Sequence, residues 1–174
     1  MFDLNLSWLG WLHTAACVVA MLAFLPVIVT AKGGRLHRRS GHLYSGAYAV
    51  VCVSSLGILD ARGFWFPHWL AVAGLVVLAL GYLAVWFKPR GWKPMHLTAM
   101  LLSAYNLFGG AVNEAYLRVR PLRVLADDDL LQSQVVGITH GIVMLVFVTL
   151  IVGYVTASFV GRRRHGGAVA LDRS

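Results

Sequence analysis

Long apolar segments separated by short charged loops dominate this chain, and they restrict it to a helical membrane fold. The chain is 59% hydrophobic and 13% charged, and crossing a hydrocarbon core of about 30 Å takes roughly 20 apolar helical residues. Backbone groups in lipid have no water to bond, so a spanning segment has to be helical. The sequence therefore predicts an all-α membrane protein, a bundle of five transmembrane helices, with spans at about residues 8–31, 43–59, 68–87, 95–116 and 135–160.

The distribution of basic residues predicts the orientation of this bundle. One set of loops carries eleven basic residues and one acidic residue, and the other carries four basic and six acidic residues. Because Lys and Arg concentrate in the cytoplasmic loops of membrane proteins, we expect the first set inside the cell. The N-terminus is then outside and the C-terminus inside. Residues 1–160 form a single five-span domain, and residues 161–174 form a basic cytoplasmic tail.

Six of the seven histidines lie at or near the ends of the predicted spans. The predicted orientation divides them into an outer and an inner layer. Burial of an unpaired imidazole at membrane depth costs free energy, so each ring needs a hydrogen-bond partner, a functional role or both. The outer layer contains His13, His68 and His140, and the inner layer contains His37, His42 and His96.

Histidines on facing helices are the strongest candidates for binding a cofactor. A b-type haem between helices needs two facing imidazoles, which pairs His13 with His140 outside and His42 with His96 inside. Imidazoles from several helices can instead bind zinc or copper, with His13, His68 and His140 as the candidate ligands. Carboxylates are nearly absent from the predicted spans, and no HxxxH or HExxH spacing occurs.

The fourth predicted span carries a polar face. Ser103, Asn106 and Asn113 follow one another at helical spacing, so their side chains lie on one stripe. Such a stripe is expected to face the bundle interior, where Asn and Ser can bond to neighbouring helices.

The first cytoplasmic loop is the densest local motif in the chain. Gly33 and Gly34 are expected to end the first helix, and the next helix then begins beside a cluster of cations. Such a constellation can hold an anion or a lipid headgroup, although basic clusters are also expected in any cytoplasmic loop. The candidate residues are Lys32, Arg35, His37, Arg38 and Arg39.

These motifs resemble those of a family of small bacterial inner-membrane proteins that is classed as a domain of unknown function, or DUF. The resemblance rests on a first-span histidine, on later histidines matching His96 and His140, and on the loop pattern Lys-Gly-x-x-x-His-Arg-x-x-Gly. It covers most of residues 8–160. It implies a helical membrane fold in the bacterial inner membrane, and it implies no activity or substrate. The loop pattern corresponds here to Lys32, Gly33, His37, Arg38 and Gly41, followed by Tyr44.

Three functional hypotheses from different classes remain. The first is a haem or redox-metal protein that takes part in transmembrane electron transfer. The second is metal-ion binding or transport, or a metal-assisted membrane enzyme. The third is a structural accessory subunit of a larger membrane complex. The expected partners are the lipid bilayer, anionic lipid headgroups, and other membrane subunits or further copies of the chain. Nucleic acid is not expected, because the basic residues lie in short loops beside the spans.

Overall fold

Helices make up the regular secondary structure of the described part of this chain. The computed structural model describes residues 7–59, 63–64, 66–118, 135, 137–150, 152–153 and 156. These residues confirm the all-α prediction for the described part of the chain. They form five helices: α1 (Trp8–Val29), α2 (Arg35–Gly57), α3 (Phe66–Phe87), α4 (Trp92–Arg118) and α5 (Gly137–Leu150).

Two of the described helices, α1 and α3, are long and apolar enough to cross a membrane. By contrast, α2 begins at Arg35 rather than at residue 43, so its first two turns carry arginines. In the same way, α4 includes Lys93 near its start and Glu114 near its end. Most of the predicted end of the fifth span, residues 151–160, and the tail of residues 161–174 lie outside the described residues.

Local sequence sets the ends of the first hairpin. At the start of α1, the side chain of Ser7 accepts a hydrogen bond from the amide of Gly10 at 3.2 Å, which is a standard N-cap. At its end, the Thr30 hydroxyl and amide both donate to the carbonyl of Pro26. The turn that follows needs Gly33, whose φ of 79° is in the left-handed region that other residues rarely adopt. α2 begins directly after this turn.

Contacts along α1 and α2 show that the two helices pack antiparallel. Near the start of α1, Leu9 reaches the end of α2, where a Cβ on Gly57 would lie 2.8 Å from its side chain. Near the end of α1, Phe24 packs against Tyr44 with ring centroids 5.6 Å apart. α3 and α4 form the second antiparallel hairpin, because His96 near the start of α4 donates to Gly81 near the end of α3, and Asn106 further along α4 donates to Leu70 near the start of α3.

A cluster of aromatic rings joins α5 to the other helices. Phe147 of α5 is buried, and its ring centroid lies 6.0 Å from Phe24 of α1 and 5.8 Å from Phe108 of α4. His140 packs near Gly109, further along α4. Phe147 also contacts Tyr105, one turn before Gly109, at 6.2 Å between ring centroids, so these two helices run antiparallel as well. The five helices thus alternate in direction, and both the α1–α2 and the α3–α4 connections lie at one end of the bundle.

The bundle exposes many large apolar side chains, and its mainly apolar interior also buries several polar ones. Tyr44, Ser103 and His68 are at most 2% exposed, whereas Leu22 of α1 is 62% exposed and Leu145 of α5 is 64% exposed. Isolated exposed apolar residues are normal on soluble proteins, but a surface covered with them marks contact with lipid or with another protein.

Gly74 of α3 is the point where three polar side chains converge. A Cβ at this position would overlap the Tyr48 hydroxyl and would lie 3.0 Å from Asn106 Nδ2 and 3.1 Å from Cys52 Sγ. We expect Gly74→Ala to lower the stability of the bundle by about 1–3 kcal/mol, because overpacking forces buried groups apart. The measurement is the thermal unfolding midpoint of the protein purified in detergent.

Gly46→Ala is the matched control, because a Cβ on this helical glycine meets nothing within 4 Å. It should leave the midpoint unchanged or raise it slightly, since Ala favours helix over Gly. Equal midpoints for the two variants would contradict the close packing at Gly74.

Candidate functional site

The predicted histidine layers correspond to two ends of the bundle. His13, His68 and His140 lie in the opening turns of α1, α3 and α5, and the remaining three lie near the connections at the opposite end. We define the basic end as the end that carries the α1–α2 and α3–α4 connections, and the far end as the opposite one. The contacts of each ring indicate what it can do.

His13 links α1 to α2 at the far end. Its Nδ1–H donates to the backbone carbonyl of Val51 at 3.1 Å and also lies 3.1 Å from the hydroxyl of Ser54. A carbonyl can only accept, so these contacts place the ring proton on Nδ1. Nε2 is then an acceptor, and the Cys17 thiol lies 3.7 Å from it. The half-buried ring is therefore oriented on both sides.

The two other far-end histidines differ in their contacts. His68 is 2% exposed, donates from Nε2 to the carbonyl of Ile58 at 3.2 Å, and stacks on Phe64 at 4.8 Å. His140 is half-buried against α4, where its Nε2 would be 3.7 Å from a Cβ on Gly109. Its Nδ1 is buried and has no hydrogen-bond partner among the described residues. An unsatisfied buried nitrogen of this kind costs about 1–3 kcal/mol.

Two histidines near the basic end, His42 and His96, connect α3 to its neighbours. His42 of α2 is exposed, and its Nδ1 lies 3.1 Å from the Tyr82 hydroxyl. His96 of α4 is half-buried and donates from Nδ1 to the carbonyl of Gly81 at 2.8 Å. The proposed inner haem ligands thus both contact α3, and the ring of His96 has a fixed tautomer.

Two of the candidate anion ligands in the first loop, Lys32 and His37, donate hydrogen bonds to the last turn of α1. Lys32 donates from Nζ to the carbonyls of Val27 and Ile28, both at 2.8 Å. His37 donates from Nδ1 to the same Val27 carbonyl at 3.1 Å. These carbonyls lie in the last turn of α1, where no helical amide reaches them. Lys32 is exposed, and its partial desolvation against the end of α1 lowers its pKa. The remaining candidates, Arg35, Arg38 and Arg39, are exposed.

The polar face of α4 contacts α2 through two buried tyrosines. Ser103 lies 2.7 Å from the Tyr44 hydroxyl, and Asn106 donates to the Tyr48 hydroxyl at 3.1 Å. The two tyrosine rings stack with centroids 5.9 Å apart. Asn113, the third predicted residue of this face, is half-buried one to two turns further along α4.

This arrangement constrains the chemistry that the histidines can support. A ring whose Nδ1–H bonds a carbonyl presents the lone pair of Nε2, which is the usual arrangement of metal-binding histidines. His37 and His96 both have this form. Among the described residues, however, no group of three or more His, Cys, Asp or Glu side chains is placed to hold a metal ion.

Sequence reasoning did not identify the acceptors of these bonds. Val51, Ile58 and Gly81 accept through backbone carbonyls, and a carbonyl has no signature in the sequence. It also missed Gly74, although the small residues of α3 at Ala71, Gly74 and Gly81 recur at helical spacing and indicate a closely packed face.

Protonation of His37 should weaken the first hairpin. Burial lowers its pKa below the ordinary value of 6.5, the bond to Val27 opposes this shift, and the charges of Lys32 and His96 add to it. The unfolded chain therefore binds the proton first as pH falls, so stability is complete above about pH 6.5 and is lost below it. We expect the thermal unfolding midpoint to decrease when the pH is lowered from about 7.5 to about 5.5.

The variant His37→Gln retains a side-chain donor and cannot titrate, so its midpoint should depend less on pH than that of the natural protein. His165→Gln in the tail is the control and should not alter the dependence. Identical pH profiles for His37→Gln and the natural protein would show that His37 does not contribute.

Comparison with known proteins does not extend these observations. No protein-family model matches the chain, and no curated protein or solved structure matches it. The resemblance of the first loop to the DUF family stays a prediction. A functional assignment therefore depends on the contacts of the chain's own residues.

Proposed function

We propose that the protein is a multi-pass protein of the bacterial inner membrane, a bundle of five transmembrane helices with the N-terminus outside and the C-terminus inside. The observation that carries this proposal is the apolar surface of the bundle, together with the polar side chains that its largely apolar interior holds. Large apolar side chains cover its surface, while Tyr44, Ser103 and His68 are buried within it. A lipid environment accounts for both features, because lipid solvates the apolar surface and the interior satisfies the polar groups.

The two ends of the bundle support the proposed orientation. Exposed aromatic rings occur at both ends, with Trp8 and Trp69 at the far end and Trp86 at the basic end. Aromatic residues of this kind concentrate at membrane–water interfaces. The basic end carries exposed Lys and Arg, whereas Glu114, the one acidic residue among those described, lies towards the far end of α4. The positive-inside rule then places the basic end in the cytoplasm.

Reporter fusions test the topology. A periplasm-active reporter joined before residue 1 and a cytoplasm-active reporter joined after residue 174 should both be active, because an odd number of spans places the termini on opposite sides. The reversed reporters should be inactive. A cytoplasmic N-terminus would contradict the proposed orientation, and extraction of the protein from membranes by alkaline carbonate would contradict membrane integration.

As a second candidate we propose that the far end binds a b-type haem or another redox metal through His13 and His140, and that the protein takes part in transmembrane electron transfer. The specific observation is the buried Nδ1 of His140, which has no hydrogen-bond partner among the described residues. His13 and His140 lie on α1 and α5, two helices that meet through Phe24 and Phe147. A haem requires only two protein ligands, one from each helix.

The inner pair is a weaker candidate for the same chemistry. The ring of His96 is oriented by the Gly81 carbonyl, which leaves Nε2 as a potential ligand. His42, however, is exposed near the end of the bundle and contacts Tyr82, and a buried haem needs a ligand inside the apolar region. The far-end pair, His13 and His140, is therefore the stronger candidate for haem binding.

Absorption spectra of the purified protein test haem binding. We expect a Soret band, and in the reduced state resolved α and β bands, from protein purified in detergent after expression with a haem precursor. His140→Ala and His13→Ala should each abolish or shift these bands, since each removes an axial ligand. His165→Ala is the control and should leave the spectrum unchanged.

Elemental analysis of the same preparation separates the alternatives. Zinc or copper in stoichiometric amount, lost in variants of His13, His68 or His140, would favour the metal-binding hypothesis over haem. A colourless and metal-free preparation would overturn both cofactor hypotheses. The histidines would then act in helix packing, as expected for a structural accessory subunit.

A further inference from the structure

The basic end carries positive charge that no described acidic residue compensates. Seven basic residues occur there, and each of them is exposed. The described acidic residue, Glu114, lies near the other end of α4. The seven residues are Lys32, Arg35, Arg38, Arg39, Lys88, Arg90 and Lys93.

Contacts between the two hairpins place these residues on one surface. His42, one turn after Arg39, lies 3.1 Å from Tyr82 near the end of α3. His96, one turn after Lys93, donates to the carbonyl of Gly81. The start of α2, the end of α3 and the start of α4 are therefore neighbours, and their cations lie at the same end of the bundle.

The local backbone leaves most of these cations exposed, so that they can bind an anion. Lys32 donates to two carbonyls of α1 and so contributes to that helix. Lys88 adopts φ 48° and ends α3, which turns the chain at Pro89 and places Arg90 in the connection. Arg35, Arg38 and Arg39 lie in the first turns of α2 and are exposed.

Exposed apolar residues extend up to these cations. Trp86 and Phe87 are 82% and 73% exposed directly before Lys88, and Leu36 is 57% exposed between Arg35 and Arg38. A surface that binds only a soluble anion has no need of an adjoining apolar wall. Cations bordered by exposed aromatic rings are typical of residues at the headgroup level of a bilayer.

We propose that the basic end binds the phosphate headgroups of anionic phospholipids, with acyl chains lying against the apolar wall below. Guanidinium groups suit this role because they bind phosphate oxygens in bidentate fashion. The proposal rests on the proposed membrane location, and it assigns the site to both connections rather than to the first loop alone. Its residues are Arg35, Arg38 and Arg39 of α2 with Lys88, Arg90 and Lys93 around the α3–α4 connection.

Native mass spectrometry of the full chain in detergent tests this proposal. The protein is mixed with equal amounts of phosphatidylglycerol and phosphatidylcholine of identical acyl chains, and the ratio of the two bound lipids is measured. We expect phosphatidylglycerol to be preferred. Replacing Arg35, Arg38 and Arg39 together by Gln should lower the ratio by about tenfold, since each basic residue near an anionic surface contributes a factor of up to about five.

Two further variants make the result specific to the surface. Replacing the same three arginines by Lys retains the charge, so most of the preference should return. Replacing Arg162, Arg163 and Arg164 of the tail by Gln removes an equal charge and should leave the ratio unchanged. Equal loss in the tail variant, or no preference in the natural protein, would overturn the proposal.

The membrane location is measured separately in each variant. If carbonate-washed membranes retain the protein but the lipid ratio shows no preference, the headgroup proposal fails and the membrane proposal stands. If carbonate extracts the natural protein from membranes, the membrane proposal fails, and the headgroup proposal that rests on it fails as well. Replacing chloride by inorganic phosphate at the same ionic strength should not displace the bound phosphatidylglycerol. If phosphate does displace the lipid, the site binds free phosphate instead.

Discussion

Hydrogen bonds between helices are the interactions on which the arrangement of this bundle depends. Apolar contact alone selects one helix register poorly when the outer surface is as apolar as the interior, because little is gained by burying one face rather than another. The directional bonds remove that ambiguity. His13 bonds α1 to α2, Tyr44 meets Ser103 between α2 and α4, and Asn106 bonds α4 to α3. Each such bond contributes only about 0.6 kcal/mol on average in membrane proteins, so their joint geometry matters more than any one of them.

Small residues make these bonds geometrically feasible. The Tyr48 hydroxyl and the Asn106 amide meet at Gly74, and Met100 fills the space beside Gly81, where a Cβ would lie 3.0 Å from its sulfur. α3 therefore approaches α2 and α4 closely enough for short polar side chains to reach across. α5 is attached differently, since its described contacts with α4 are the Phe147 ring and the packing of His140 beside Gly109. The bundle thus combines a directional polar core with an aromatic contact that is less specific in register.

The sequence predicts the helical class well, because long apolar segments leave few alternatives, and it also predicts that polar residues of the fourth segment share a face. It places the start of α2 less well. Hydropathy detects the apolar part of a helix, whereas α2 continues outward through Arg35, which is a good helix former. The sequence also suggests an anion site around Lys32 and His37, yet both side chains cap α1. A cation beside a helix end can bind a ligand or the helix itself, and only the folded geometry distinguishes these uses.

The same ambiguity applies to the histidines, and their hydrogen bonds resolve part of it. His68 donates to Ile58 beyond the end of α2, which gives its ring a packing role. His96 has Nδ1 fixed by a carbonyl, so a packing bond on Nδ1 and a ligand on Nε2 are compatible in this ring, whereas a ligand on Nε2 of His13 would have to replace its contact with the Cys17 thiol. His140 has no such bond on its buried Nδ1 among the described residues. A group that hydrogen-bonds to this nitrogen would recover the free energy that the missing bond costs, so a bound cofactor would benefit His140 more than the rings that already have partners.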